Sequence, residues 1–280
     1  MSETAPDVEP WRRRLREVMT SHSQLVRELL LEGGGIERKA GPPSPLTFMR
    51  NHVAKSLPVL YTGAVDHWPA LRRWDHSYLR RQAGKLQVHV ALTPDGFADA
   101  VVTNRKGERV FAKPCETSMA FENFLDAIAQ PRVDETGRRR RPVLYVSHQN
   151  SSLVAEFEPL WPDVGLELPW ATEAFGAAPQ AANFWMGEDA AVTTTHADLF
   201  DNLYVVIRGE KHFLLFPPQD AHALGYLPFP SATYHRTADG LGIPGIQGLQ
   251  AVRGVHEVQE TRGIQGAQEA KGVEGGRETT

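Results

Sequence analysis

The sequence is short of most features that would take it outside the soluble globular class. It has a single cysteine, Cys115, in 280 residues, so no internal disulfide framework can form and a reducing compartment is expected. An ordinary buried thiol is the expected state of that residue. No stretch approaches the roughly 20 consecutive apolar residues that a spanning helix needs. The opening MSETAPDVEPWRRRLREVMT has no apolar segment of the secretory kind. Neither sign of charge is in excess: 30 Lys and Arg against 34 Asp and Glu give a formal net charge of -4, which excludes a general pull toward nucleic acid or anionic membrane. These shortages point to the cytosol or nucleus and to partners recognised by local sites. What is present suffices for a core, because 41% hydrophobic composition over this length supports one large domain or two small ones.

The N-terminal EPWRRRLREVMTSHSQLVRELLLEG places Leu15, Met19, Leu25, Val26, Leu29 and Leu30 at helical spacing and ends in a glycine run, which predicts an amphipathic helix. Its Arg12, Arg13 and Arg14 are expected on a solvated face. Short β-rich runs follow, LPVLYTGAV and LQVHVALTPDGFADAVV, with a helix expected at WDHSYLRRQAG and another at MAFENFLDAIAQ. The arginines of DETGRRRRP have no interleaved aromatics and are expected in an exposed loop rather than a nucleic-acid patch. PVLYVSHQN and AANFWMGED read as strands, with a helix near WATEAFG between them.

Residues 190–220, AAVTTTHADLFDNLYVVIRGEKHFLLFPPQD, concentrate the chemistry. Strand alternation points His196 and Asp198 the same way, and a His-x-Asp pair can supply two of the three ligands of an iron(II) facial triad. The pair alone also occurs in many proteins without metal. Lys211 shares a strand face with Phe213 and Leu215 if EKHFLLF is extended. It then either needs an anion beside it or carries its ammonium out to water from the strand end.

The joint pattern NFWMGEDAAVTTTHADLFDNLYVVIRGEKHFLLFPPQD resembles the jumonji-C (JmjC) family of Fe(II)- and 2-oxoglutarate-dependent oxygenases, within the cupin-like double-stranded β-helix folds. The likeness extends back through PVLYVSHQN, VALTPDGFADAV and VDHWPALRRW, over about residues 40 to 235, and is strongest to the small JmjC lysyl hydroxylases also described as histone-tail peptidases. It implies a mainly β, jelly-roll fold with flanking helices and a protein or peptide substrate. It also implies that His196 and Asp198 ligate Fe(II), that Lys211, Thr193 and Tyr145 hold the distal carboxylate of 2-oxoglutarate, and that Asn202 lies beside the metal. A dicarboxylate bound by one end to metal needs its other end neutralised in an apolar barrel.

The second histidine ligand that the family takes from a later strand is not recognisable. His212 alternates away from Lys211, His222 and His235 lie in unsupported segments, and His256 lies in a tail without aromatics, since none follows Tyr234. From Gly240 the composition turns to Gly, Gln and Glu, the mark of a segment that builds no core. The expected organisation is therefore an N-terminal helical segment over residues 1–40, an incomplete JmjC domain over 41–239 truncated at its C-terminal strands, and a disordered tail over 240–280. An altered gene product and an interaction tail are two sources for that tail. A domain missing its late strands would have unpaired edges, poor solubility and no family dimer contact. Two functions from different classes stand: a 2-oxoglutarate-dependent lysyl hydroxylase, and a catalytically silent variant acting as a protein-interaction module.

Overall fold

The computed structural model describes residues 9–30, 35–104, 106–133, 135–137, 141–149, 151–236 and 249–250. Apart from Leu249 and Gln250, the expectations for the tail, including His256, lie outside these residues. Helix α1 (Glu9–Leu30) is followed by β1 (Glu37–Ala40), α2 (Pro45–Asn51), β2 (Val59–Thr62), α3 (Ala70–Arg73) and α4 (His76–Ala83). The β-rich part comprises β3 (Gln87–Thr93), β4 (Phe97–Ala98), β5 (Ala100–Thr103), β6 (Arg109–Lys113) and β7 (Cys115–Ala120). Then come α5 (Phe121–Ala129), β8 (Val143–Val146), α6 (Ser152–Ala155), α7 (Pro169–Phe175), β9 (Met186–Gly187), β10 (Val192–Thr193), β11 (Ser231–Thr233), β12 (His235–Arg236) and β13 (Leu249–Gln250). The fold is mainly β with flanking helices, and no helix among the described residues is long and apolar enough to cross a membrane.

The central sheet runs β7-β3-β8-β9 and all its pairs are antiparallel. Alternation divides β3 in two: Val88, Val90 and Leu92 enter the core, whereas His89 points to the other face. Leu144 and Val146 on β8 are likewise core residues, which turns Tyr145 to the same face as its partner Ala91. A second sheet, β11-β6-β5, and the short β4–β10 pairing bring the downstream chain against it.

Helix packing follows from sequence spacing. Phe121, Phe124 and Leu125 on α5 are fully buried, and this i, i+3, i+4 stripe lies over the core face of the sheet. Phe157 and Phe184 meet Phe121 edge-on, with ring centres 5.1 and 6.2 Å from it. The Asp75 carboxylate caps α4 by accepting the Tyr78 backbone N–H at 2.7 Å. Under α4, the buried Asp163 carboxylate accepts from Arg73 Nη1 at 2.8 Å, Trp74 Nε1 at 3.0 Å and the Tyr78 hydroxyl at 2.7 Å. Burial opposes the charge on Asp163, but these three donors outweigh it and hold the carboxyl below its ordinary pKa. Helix α1 docks through Ser23 and Arg27 on Asp220, and its Arg12, Arg13 and Arg14 face solvent as expected. Cys115 is buried, as expected.

Two expectations need correction. Arg141, the last arginine of the basic run, is not in an exposed loop. It is buried against Glu188, with Nη1 and Nη2 donating to the two carboxylate oxygens at 2.6 and 2.8 Å. Charge-run reasoning misses it because a bidentate partner makes burial of a guanidinium tolerable. In addition, the two strands expected over NLYVVIRGEKHFLLF do not form: the segment bends at Arg208-Gly209, where a turn is expected, but its backbone is irregular on both sides. Among the described residues no neighbouring strand pairs with it, so alternation does not bury its side chains. Phe213 is 54% exposed and Leu214 79%.

Candidate functional site

The face of the central sheet opposite the helices is kept open by glycine. Tyr145 pairs with Gly187 across β8 and β9, and a Cβ on Gly187 would stand 2.6 Å from Tyr145 Cδ2. Only hydrogen at that position lets the phenol lie flat across β9. Gly96 performs a related service at φ +101, where a Cβ would meet the Ala190 carbonyl oxygen at 1.7 Å. Its own carbonyl accepts the Val192 N–H at 2.9 Å, which fixes β10 beside β4.

With β10 held there, Thr193 hydrogen-bonds the Tyr145 hydroxyl, and Tyr204 bonds it as well. Burial, foremost, and then the neighbouring Tyr204 keep Tyr145 protonated well above the ordinary range for a phenol. The Lys211 ammonium lies over the Tyr145 ring, 5.5 Å from its centre. Lys211 is half-buried and has no ion-pair partner among the described residues. Tyr204 extends the aromatic wall to Phe213 and Trp185, with ring centres 5.0 and 5.5 Å away. Tyr145, Thr193 and Lys211 therefore come together, although Lys211 arrives on an irregular segment and not, as expected, on a strand shared with Phe213 and Leu215.

His196 and Asp198 follow β10 on irregular backbone rather than on a continuing strand, yet His196 Nε2 and Asp198 Oδ2 stand 3.5 Å apart. His196 Nδ1 faces the Thr194 carbonyl at 2.7 Å, which selects the tautomer with Nε2 free to ligate. Thr194 in turn donates to the Asp99 carbonyl at 2.6 Å. Both metal-type side chains are half-exposed. Asn202 is exposed and lies a few residues further along the chain.

Among the described residues no third His, Cys, Asp or Glu joins His196 and Asp198 in a group able to hold a metal ion. His212 Nε2 faces Glu210 at 3.4 Å in solvent, His222 Nδ1 faces the Gln219 carbonyl at 2.9 Å, and His235 lies on β12. A cluster that the sequence did not suggest does meet that description: His89, His148 and Glu156. Its members are far apart in the chain, and His89 and His148 sit in segments whose apolar pattern announces only strands. The one legible hint was alternation, which puts His89 on the Tyr145 face of the sheet.

Residues 45–262 match the family model described as a cupin-like domain. Human bifunctional peptidase and (3S)-lysyl hydroxylase JMJD7 is 44% identical over 200 residues, which is 71% of this chain and 60% of the relative. Lysine-specific demethylase JMJ32 of Arabidopsis thaliana is 40% identical over 217 residues, 76% of this chain and 60% of the relative. JmjC domain-containing protein E of Dictyostelium discoideum is 36% identical over 197 residues, 69% of this chain and 55% of the relative. The chain thus spans 55% to 60% of the length of these relatives.

Proposed function

The chain belongs to the JmjC members of the cupin-like family, and on that premise we propose that it serves Fe(II)- and 2-oxoglutarate-dependent hydroxylation of a lysyl side chain in a protein substrate. The observation that carries this reading is the meeting of Lys211, Tyr145 and Thr193. A half-buried ammonium without a counter-ion among the described residues, beside two hydroxyl groups, is the environment one carboxylate of a dicarboxylic acid requires. Tyr145, held protonated by burial, can keep donating a hydrogen bond across the physiological pH range.

His196 and Asp198 fit an iron(II) ion by donor type and by the approach of their ligand atoms, and they supply two of the three ligands of a facial triad. The iron and 2-oxoglutarate, when bound, would activate O2, which supplies the oxygen atom and the oxidising power for an unactivated C–H bond while 2-oxoglutarate gives up two electrons and leaves as succinate and CO2. The chain's own part is to orient. The Thr194 carbonyl fixes the His196 tautomer, Lys211 and Tyr145 would set the position of the cosubstrate's far end, and exposed Asn202 would steer what enters beside the metal. In this reading residues 41–239 carry the chemistry, while the helical segment 1–40 packs on them through α1. The human relative's printed name, a lysyl hydroxylase and peptidase, supports a protein substrate. Cytosol and nucleus both suit such a substrate.

A second reading rests on the absence of a third ligand beside His196 and Asp198 among the described residues: a silent, metal-poor protein that engages partners without turnover. One experiment separates the two. The purified chain is loaded anaerobically with Fe(II), assayed for metal content, and then exposed to O2 with 2-oxoglutarate and lysyl peptides while succinate release and a 16 Da mass gain are followed. Stoichiometric iron with coupled succinate and hydroxylation is the expected result. A chain that retains no metal and releases no succinate takes the second reading instead.

A further inference from the structure

The cluster His89, His148 and Glu156 shares no residue with the pair His196 and Asp198. His89 lies on β3 and His148 two residues beyond the end of β8, the antiparallel neighbour of β3. Their rings are 4.5 Å apart between centres and inclined by 36°. Glu156 follows α6, and its carboxylate reaches back under both rings with only 8% of the side chain exposed.

The carboxylate is oriented from behind. Its Oε2 accepts the His89 backbone N–H at 2.8 Å, which turns Oε1 toward both imidazoles. His89 Nδ1 is 3.1 Å from Oε1, and His148 Nδ1 contacts the same oxygen. Burial works against the charge on Glu156, but the backbone N–H and the two rings overcome it and keep the carboxyl below its ordinary pKa. An anionic oxygen is thus held beneath two half-exposed imidazoles. One ligand atom from each residue lies within 4.8 Å of the others, and three ligands bonded at about 2.0–2.2 Å to a tetrahedral ion stand roughly 3.4 Å apart. Both rings are partly exposed, which leaves them room to rotate toward that spacing.

We propose that His89, His148 and Glu156 form a binding site for a divalent transition-metal ion of the zinc class, with its free coordination position open to the adjoining cavity. That cavity, about 500 Å³, is lined by both histidines and by Asp99, Lys113 and Glu116. Two nitrogens and one oxygen suit a borderline ion and not calcium or magnesium, which take oxygen ligands. With neutral imidazoles and one carboxylate, a divalent ion leaves one net positive charge; of the cavity-wall groups Asp99 and Glu116 offset it and Lys113 opposes it, so that two acidic groups outnumber one basic group. Three protein ligands with a fourth position facing a cavity is the arrangement of an open site, able to take water or a small anionic ligand, and differs from a closed structural zinc site.

The test uses the full chain carrying His196→Ala and Asp198→Ala, so that this pair contributes nothing, with folding checked by circular dichroism. Zn2+ is titrated against a chromophoric chelator, and Co2+ is added separately to read coordination from its visible absorption. The expected result is one equivalent of Zn2+ and Co2+ bands of four-coordinate intensity. His148→Ala and, independently, Glu156→Gln should weaken Zn2+ binding by about 100-fold or more. Absence of binding in a folded chain, or binding that neither substitution alters, overturns the proposal. In case the doubly substituted background does not fold, the same titration of the unsubstituted chain decides: His148→Ala must remove one equivalent of Zn2+, and no loss refutes the site.

Discussion

The ammonium of Lys211 stands 5.5 Å from the ring centre of Tyr145, joining an irregular downstream segment to the central strand β8. This contact gathers one cation and a phenol that also bonds Thr193 and Tyr204. A cation so placed, with no acidic partner among the described residues, is already partly stripped of water. Desolvation makes it a stronger partner for an incoming anion than a surface lysine would be.

Replacement of Lys211 by Ala should therefore weaken 2-oxoglutarate binding by about tenfold to a hundredfold, the range of one charge-assisted hydrogen bond at about 1.5–3 kcal/mol. Isothermal titration of the Mn(II)-loaded protein measures it. Equal affinities for the two proteins would remove Lys211 from the cosubstrate site.

Gly187→Ala should cost about 1–3 kcal/mol of stability, the usual range for overpacking, because its methyl group would meet the Tyr145 ring at 2.6 Å. The phenol must then swing away from Thr193, so 2-oxoglutarate affinity should fall together with the urea midpoint. A substitution that lowers stability but leaves affinity intact would show that the ring is not part of the binding surface.

Asp163→Ala leaves the indole N–H of Trp74 and the Tyr78 hydroxyl without their acceptor, and a loss of roughly 3 kcal/mol is expected by urea denaturation. The same carboxylate fixes the sign of the acid response. Its pKa is lower folded than unfolded, so its contribution is fully present above the unfolded value of about 3.9 and disappears as pH falls through the folded one. Stability plotted between neutral pH and pH 2 should fall less steeply in Asp163→Ala than in the parent chain. Parallel curves would contradict that assignment.

Local pattern made much of this architecture legible in the sequence. The i, i+3, i+4 spacing of Phe121, Phe124 and Leu125 announces α5, and the β-branched VLYV of β8 announces a strand. Lys211 stands out locally as a cation in an apolar run, but only the resemblance links it to Tyr145 and Thr193, since the three lie on separate segments that nothing in their spacing connects. Two features escaped for different reasons. Arg141 is buried by a carboxylate 47 residues away, and a charge run read locally cannot reveal such a partner. The segment from Leu203 to Phe216 carries strand-forming residues, but a strand exists only against a neighbour, and among the described residues none adjoins it.

Glu188 has a consequence that reaches beyond its ion pair. Oε1 accepts both Arg141 Nη1 and, at 2.9 Å, the backbone N–H of Leu144. The carboxylate at the end of β9 is thereby keyed to one step of β8. Side chains on a strand alternate with a period of two, so a slip of a single residue would exchange Leu144 for Tyr145 and bring a phenol into the core. That slip would strand a buried guanidinium as well. Arg141 and Glu188 are not among the groups proposed to hold metal or cosubstrate, yet they act as a parity lock: they decide which of two opposite surfaces of the sheet carries the chemistry.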